Sequence, residues 1–431
     1  MREFLDLLRH NRNYRYTWMG QVVSEIGDNF NNIAVFALAM SLTHSGLVVM
    51  GVMLSRAIPA IAVGPLAGVL LDRFDRKRIM IASDLVRAVV ALGFIAAFRE
   101  QQVWLLYACS ALLMVASPFF TAGRSAILPS IANQEEIHTA NSLTQTTQWT
   151  NLTIGTFLGA IVVGISYEWA FVFNSLSFFF SAWAIWNLRP PAGKQFRAEN
   201  KDLTEAGVIR PWHEYREGLR YMRSIPLVFA IALLAVGWAT GGGAAQILFT
   251  LFGEVVFKGG AAGIGTIWGC AGIGLLVGGA LAHWMGRRLS FEDYKKVIFL
   301  DYIVHGGAYI LFSRMERFEL ALLFILISRA AIAVNSVLNY TYILKAVSDQ
   351  YRGRVFSTIE TLTWSMMMLS MTGAGIASTH YSPRTIGTVA GLLSSTTAIF
   401  WGWANWSGRL PLPEACGVEM NEVEIHGDPV T

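Results

Sequence analysis

The chain has 431 residues, 54% of them hydrophobic and only 14% charged, with 33 Lys and Arg against 29 Asp and Glu. A soluble domain carries about 25% charged residues, so an ordinary water-soluble globular protein is excluded, and a net charge of +4 is too small to argue for a nucleic-acid partner. Three cysteines, Cys109, Cys270 and Cys416, have no metal-ligand spacing, so neither a disulfide framework nor a metal centre is expected.

The N-terminus, MREFLDLLRHNRNYRY, lacks a cleavable signal pattern and reads as a basic, amphipathic lead-in. Apolar windows of about 20 residues match the thickness of a bilayer. Twelve spans are predicted: 16–42, 46–71, 79–98, 103–123, 138–165, 168–188, 226–251, 262–285, 295–313, 318–342, 355–378 and 384–405. They define an all-α membrane protein with an N-terminal six-helix bundle (1–188) and a C-terminal one (226–405). The linker 189–225 carries an amphipathic helix over 210–225, and a polar tail, 406–431, follows.

Basic residues orient the chain. They crowd the N-terminus, the loop 72–78, Arg124, and the segments 189–225, 286–296 and 345–354. The opposite loops hold only Arg99, Lys258, Arg314, Arg317 and Arg384, while Arg56, Arg87 and Arg329 fall inside spans. Under the positive-inside rule both termini are cytoplasmic.

The first span contains SEIGDNFNN, 24–32. At 100° per residue, Gln21, Glu25, Asp28, Asn29 and Asn32 share an arc of about 100°. Lipid cannot satisfy such a face, so it looks at protein or water. Asp28 falls near the midplane, where a carboxylate costs at least ~2.5–3.5 kcal/mol. Asp28 and Glu25 are therefore the proton-coupling candidates, and Arg56, ten residues into the second span, is the expected partner of Asp28. A static ion pair that only locks the bundle is the competing reading. Asp84 and Arg87 in the third span read as a local ion pair.

Later spans repeat the theme. In the fifth, Thr144, Thr147, Gln148, Asn151 and Gly155 share a face; in the tenth, Arg329, Ser336, Asn339 and Tyr340; in the eleventh, Glu360, Thr363, Trp364, Met367 and Met371. Gln148, Asn151, Arg329, Asn339, Tyr340, Glu360, Trp364 and Met367 join Gln21, Asn29, Asn32 and Arg56 as substrate-cavity candidates. Packing is the plainer reading of the methionines. In the seventh span the three glycines of GGGAAQ, 241–246, weaken the helix and let another backbone approach closely, and the run reads as a gate or bend near the outer side. Asp301 and His305 in the ninth read as structural.

GVLLDRFDRKR, 68–78, and GALAHWMGRR, 279–288, repeat one unit: Gly68 matches Gly279, and Arg76-Lys77 match Arg287-Arg288. Internal repetition in a membrane chain points to a transporter whose halves rock about a central site. The first copy resembles the cytoplasmic-loop signature G-x-x-x-D-R-x-G-R-K of the major facilitator superfamily through Gly68, Asp72, Arg73, Arg76 and Lys77, with Asp75 in place of the second glycine. SEIGDNF, SRAIPAIAVGPLAG, SDLVRA, FFTAGRSAILPSI, EGLRYMRSIP and RGRVFST are similar to the branch with macrolide efflux pumps and enterobactin exporters. The resemblance implies the twelve-helix facilitator fold. It also implies a conformational latch in which Asp72 meets positive charge at Arg352 and Arg354, and a cavity lined by spans 1, 2, 4, 5, 7, 8, 10 and 11.

No P-loop, H-E-x-x-H or G-x-S-x-G occurs, so neither an enzyme nor a cofactor is expected. The implied activity is export of an amphipathic small organic molecule (drug-like compound, siderophore or metabolite) by proton-coupled alternating access. The expected setting is a bacterial inner membrane, with the protein a monomer and protons and lipid its other partners. In IGTFLGAIVVG, 154–164, Thr156 stands where exporters of this superfamily carry proline, a departure from the antiporter pattern. An importer, a uniporter, a lysophospholipid flippase, or a non-transporting scaffold or receptor remain alternatives.

Overall fold

The structure, a computed structural model, describes residues 2–189, 196, 211–286 and 288–411. A short helix α1 (Arg2–His10) precedes α2 (Arg12–Thr43). Asn11 separates them because its side chain accepts from the Tyr14 N–H at 2.9 Å and caps α2. Then come α3 (Gly46–Arg73), α4 (Arg76–Arg99), α5 (Val103–Ile131), α6 (Gln134–Ile165), α7 (Tyr167–Trp186) and α8 (Pro211–Ser224). The second set is α9 (Pro226–Leu251), a π-helical turn (Phe252–Val256), α10 (Gly260–Gly286), α11 (Phe291–Arg314), α12 (Phe318–Ala346), α13 (Asp349–Ala377) and α14 (Pro383–Trp406). Ser45, Asp75, Ser166, Ser290 and Ser382 start their helices by accepting backbone N–H groups, which lets the chain reverse in a few residues.

Among the described residues nine helices are long and apolar enough to cross a membrane: α3 to α7 and α9 to α12. Helices α2, α13 and α14 are also long, at 32, 29 and 24 residues, but their polar side chains lower their hydropathy. Helix α5 runs to Ile131, eight residues beyond the predicted end of the fourth span. Arg124, expected in a cytoplasmic loop, is therefore inside a helix. Helix α9 continues unbroken through GGGAAQ. Two of its glycines serve close packing: a Cβ on Gly241 would overlap the Ala390 carbonyl of α14, and one on Gly243 the Met367 carbonyl of α13.

Helix α2 packs on α6 and α7, α3 on α5, and α4 on α5 and α7. In the second set α9 packs on α13 and α14, α10 on α12, and α11 on α12 and α14. Helix α6 meets α10, and α3 meets α13, between the sets. At the end carrying the α2–α3 turn, one apolar core joins both sets, with Ile33 to Met40 of α2 beside Ile247 to Phe252 and Met371. Small residues make this approach possible: Gly265 lies against Ala160, Gly272 against Thr153, and Gly46 against Ser378. At the opposite end the cores are separate. One centres on Met80, Phe120 and Ile131, another on Tyr14 and Leu143, and a third on Tyr294, Leu338 and Trp401. There Tyr221 of α8 stacks on Tyr351 of α13 with ring centroids 4.2 Å apart.

Candidate functional site

Glu25, two-fifths of the way along α2, collects the polar groups around it. Its Oε1 accepts from Gln21 Nε2 at 2.9 Å and faces Arg124 Nη1 of α5 at 3.2 Å. Its Oε2 accepts from Asn151 Nδ2 of α6 at 2.8 Å. Asn29 Nδ2 donates to the Glu25 carbonyl at 2.8 Å and to the Asn151 carbonyl at 3.2 Å. A charge-assisted pair with extra donors on the carboxylate is the arrangement that tolerates a charge away from water. The face of α6 predicted from periodicity is the one that meets α2. The Tyr14 hydroxyl lies 3.2 Å from Thr144 Oγ1, Trp18 Nε1 donates to Thr147 at 2.9 Å, and Gly155 seats Asn29. Gln148 lies beside this face, part-buried and without a hydrogen bond among the described residues.

Asp28 is also part-buried, yet it makes no hydrogen bond or ion pair among the described residues. Its expected partner is engaged elsewhere: Arg56 Nη1 donates to Asn32 Oδ1 at 2.5 Å. The direct Asp28–Arg56 pair is therefore not formed in this state, because a neutral amide one turn along holds the guanidinium. Arg56, Arg87, Glu25 and Asp84 all lie within electrostatic reach of Asp28. Arg87 pairs with Asp84 on α4, as read from sequence, and both are buried. Its guanidinium also sits between two rings, 4.5 Å from the Phe120 centroid and 4.3 Å from that of Phe178. The first helix set thus encloses three carboxylates and three guanidinium groups: Glu25 with Arg124, Asp84 with Arg87, and Asp28 opposite an Arg56 held by Asn32.

The candidates of the second set lie apart from this network. Arg329, 8% exposed, stacks over Phe249 at 4.9 Å and shares a small cavity with His305, Tyr309 and Ser394 inside that set. Tyr294 donates to Asn339 Oδ1 at 2.7 Å, a buried tie between α11 and α12. Tyr340 stacks on Phe356 at 4.8 Å and is exposed, as are Trp364 and Glu360. Met367 is buried, and its backbone carbonyl lies against Gly243 of α9.

Of the latch residues, Gly68 faces open space and Arg73 is exposed, while the Asp72 side chain lies outside the described residues, as does Arg287 of the repeated loop. Arg76 Nη1 donates to the Ala126 carbonyl at 2.8 Å, and Lys77 Nζ to that of Leu188 at 2.9 Å. Arg352 Nη2 donates to the Leu344 carbonyl at 2.6 Å, and Arg354 lies over the Tyr351 ring at 5.6 Å.

Sequence reading missed Arg124 as a site residue, although an arginine between FFTAG and SAILPSI was itself a signal. No group of His, Cys, Asp and Glu among the described residues could hold a metal ion.

A helical chain with paired charges inside its first helix set narrows the choice, and comparison decides it. The sequence model of the Major Facilitator Superfamily matches residues 17–371. The chain belongs to that superfamily. This facilitator is 26% identical over 379 residues to the uncharacterized MFS-type transporter YfiS of Bacillus subtilis (strain 168), covering 86% of this chain and 88% of that one. It is also 26% identical over 393 residues to macrolide efflux protein A of Streptococcus pyogenes, covering 89% and 92%. Among solved structures, a bacterial homologue of the iron transporter ferroportin in an inward-facing state matches with a TM-score of 0.70 at 14% identity, covering 90% of this chain and 98% of that one. A bacterial homologue of the human lysosomal transporter Spinster, inward-facing and unoccupied, matches with a TM-score of 0.66 at 13% identity, covering 92% and 97%. At such identities these structures share the fold alone. The facilitator is a multi-pass membrane transporter with efflux proteins among its relatives.

Proposed function

We propose that the chain exports an amphipathic small organic molecule by proton-coupled alternating access in a bacterial inner membrane, working as a monomer. All twelve long helices cross the bilayer in this reading, including α2, α13 and α14, as two six-helix domains (1–188 and 226–405). Both termini and the linker are cytoplasmic. The α2–α3 turn then faces outward, and the core shared at that end is the closed outer gate of an inward-open state. The named function of macrolide efflux protein A supports export. Gln21, Asn29, Asn32, Arg56, Gln148 and Asn151 give the cavity its polarity. Asp72 with Arg352 and Arg354 latches the opposite state.

The observation that carries the coupling is Asp28, an acid with no hydrogen bond or ion pair among the described residues yet within electrostatic reach of Arg56. An acid that takes a proton in one state and a guanidinium in the other can exchange a proton for substrate. One charge crossing 100 mV supplies ~2.3 kcal/mol, somewhat more than a tenfold gradient at ~1.4 kcal/mol per decade. Everted vesicles with a quenched pH dye test this. Amphipathic compounds should release protons through the wild type and not through Asp28→Asn. Equal release from both would move the coupling to Glu25, and no release from either would overturn antiport.

A further inference from the structure

The chain leaves the second helix set at one fixed point. Leu410, 2% exposed, sits in the core of the separated end with Tyr294, Leu338 and Trp401, and the buried Lys295 donates to its carbonyl at 3.4 Å. Residues 411–431 carry five acids, Glu414, Glu419, Glu422, Glu424 and Asp428, and no Lys or Arg. The rim around that exit is rich in the opposite charge. Met222, Tyr294 and Val347 belong to the same core as Leu410, and Leu289 packs against it. Within two residues of these side chains stand Arg220, Arg223, Lys296, Lys345 and Arg288, all exposed. Arg220 and Arg223 of α8 make no hydrogen bond or ion pair among the described residues. The Lys345 side chain meets the Tyr342 ring at 5.3 Å, and that of Arg288 the Trp284 ring at 4.5 Å, neither of them an anion. Lys296 faces Asp293 at 3.5 Å with both side chains more than half exposed, a weak pair. Glu292, beside it, is held by Lys295 at 2.7 Å.

From this we infer that the acidic segment 412–431 docks on the basic rim of its own second helix set, its carboxylates pairing with Arg220, Arg223, Arg288, Lys296 and Lys345. One exposed pair contributes about 0–1 kcal/mol, too little to hold a free peptide. Tethering changes that arithmetic, because the segment starts at Leu410 and meets the rim at an effective concentration in the millimolar range. Asp428, eighteen residues beyond Leu410, lies at most about 60 Å from it, so all five acids stay near this end. The rim stands where the cores of the two helix sets are separate. The seated segment covers its positive charge, and an anionic headgroup or an acidic partner gains this surface by displacing the segment. The inference stands apart from the transport reading and holds whatever the chain moves.

A carbodiimide, which joins a carboxylate to a lysine amine without a spacer, tests the docking. It is applied to the full-length protein, one copy per nanodisc of phosphatidylcholine, and the links are mapped by mass spectrometry. Amide links from the five acids of 412–431 to Lys296 or Lys345 are expected. Raising the salt to about 1 M shortens the screening length to about 3 Å and should lower their yield at least ~fivefold. Arg220→Gln with Arg223→Gln leaves both lysines in place and should lower it about threefold by removing attraction. The absence of such links would overturn the docking, as would links confined to Lys194 and Lys201 of the linker or a yield indifferent to salt and to the arginine variant. Links that form only when two copies share a disc would assign the rim to a second copy. The links should persist in phosphatidylglycerol discs, and their loss there would give the rim to lipid instead. Cross-linking needs no transport, so failed export in vesicles leaves this result untouched.

Discussion

Arg124 Nη1 stands 3.2 Å from Glu25 Oε1, joining α5 to α2 in the interior of the first helix set. The two side chains are 12% and 20% exposed, so solvent screens the pair only in part. Removing Arg124 strands the Glu25 carboxylate, whose other contacts, to Gln21 and Asn151, are neutral amides, and removing the Glu25 charge leaves the guanidinium without its counter-ion. Glu25→Gln and Arg124→Met should each destabilise by about 1–3 kcal/mol, and the double variant by less than the sum. Thermal unfolding of the purified set in detergent measures this coupling. Costs that simply add would mean the pair is incidental.

The buried Asp84–Arg87 pair predicts a larger asymmetry. Arg87→Met leaves Asp84 unpaired in the interior and should cost about 3–5 kcal/mol. Asp84→Asn with Arg87→Met should recover most of that. Arg87→Lys keeps the charge but loses the flat guanidinium between Phe120 and Phe178, so it should fall between wild type and Arg87→Met. Unfolding midpoints in one detergent rank the four proteins.

Glycines in the second helix set separate into two kinds. Gly243→Ala drives a methyl group into the Met367 carbonyl and should destabilise by about 1–3 kcal/mol. Gly307 and Gly373 meet nothing within 4 Å, so alanine there should stabilise by up to about 1 kcal/mol through helix propensity. If all three substitutions behave alike, backbone contact is not what α9 requires.

The seam at the joined end can be locked. A Cβ built on Gly46 lies 2.9 Å from the Ser378 Cβ, so the helices must part by about 0.6–1 Å to reach the ~3.5–4.5 Å a disulfide spans. Gly46→Cys with Ser378→Cys, in a protein whose three native cysteines are replaced by serine, should lose transport on oxidation and regain it with reductant. Full transport by the oxidised, cross-linked protein would show that this end need not open.

Much of the architecture is legible in sequence because apolar length and loop charge carry it. The polar stripe of α2 was readable because a helix repeats its faces with fixed angle, and the α6 face that meets it followed from the same rule. Which partner each side chain takes was not readable, since periodicity fixes direction within one helix and says nothing of the height at which its neighbour crosses. Arg56 reaches Asn32 rather than Asp28 for that reason, and Arg329 stacks on Phe249 within its own set. Arg124 was misplaced because TAGRS ends the apolar window, although the helix runs on to Ile131.

The division of the interior into one shared core at one end and separate cores at the other bears on temperature. Opening the shared end to water hydrates apolar side chains from Ile33 to Met40 and their counterparts on α9, a step that raises heat capacity. Cooling weakens that closure. The balance between the two openings should therefore shift toward the one exposing Ile33 to Met40 as the membrane cools, and transport rates plotted against inverse temperature should curve rather than follow a single activation energy.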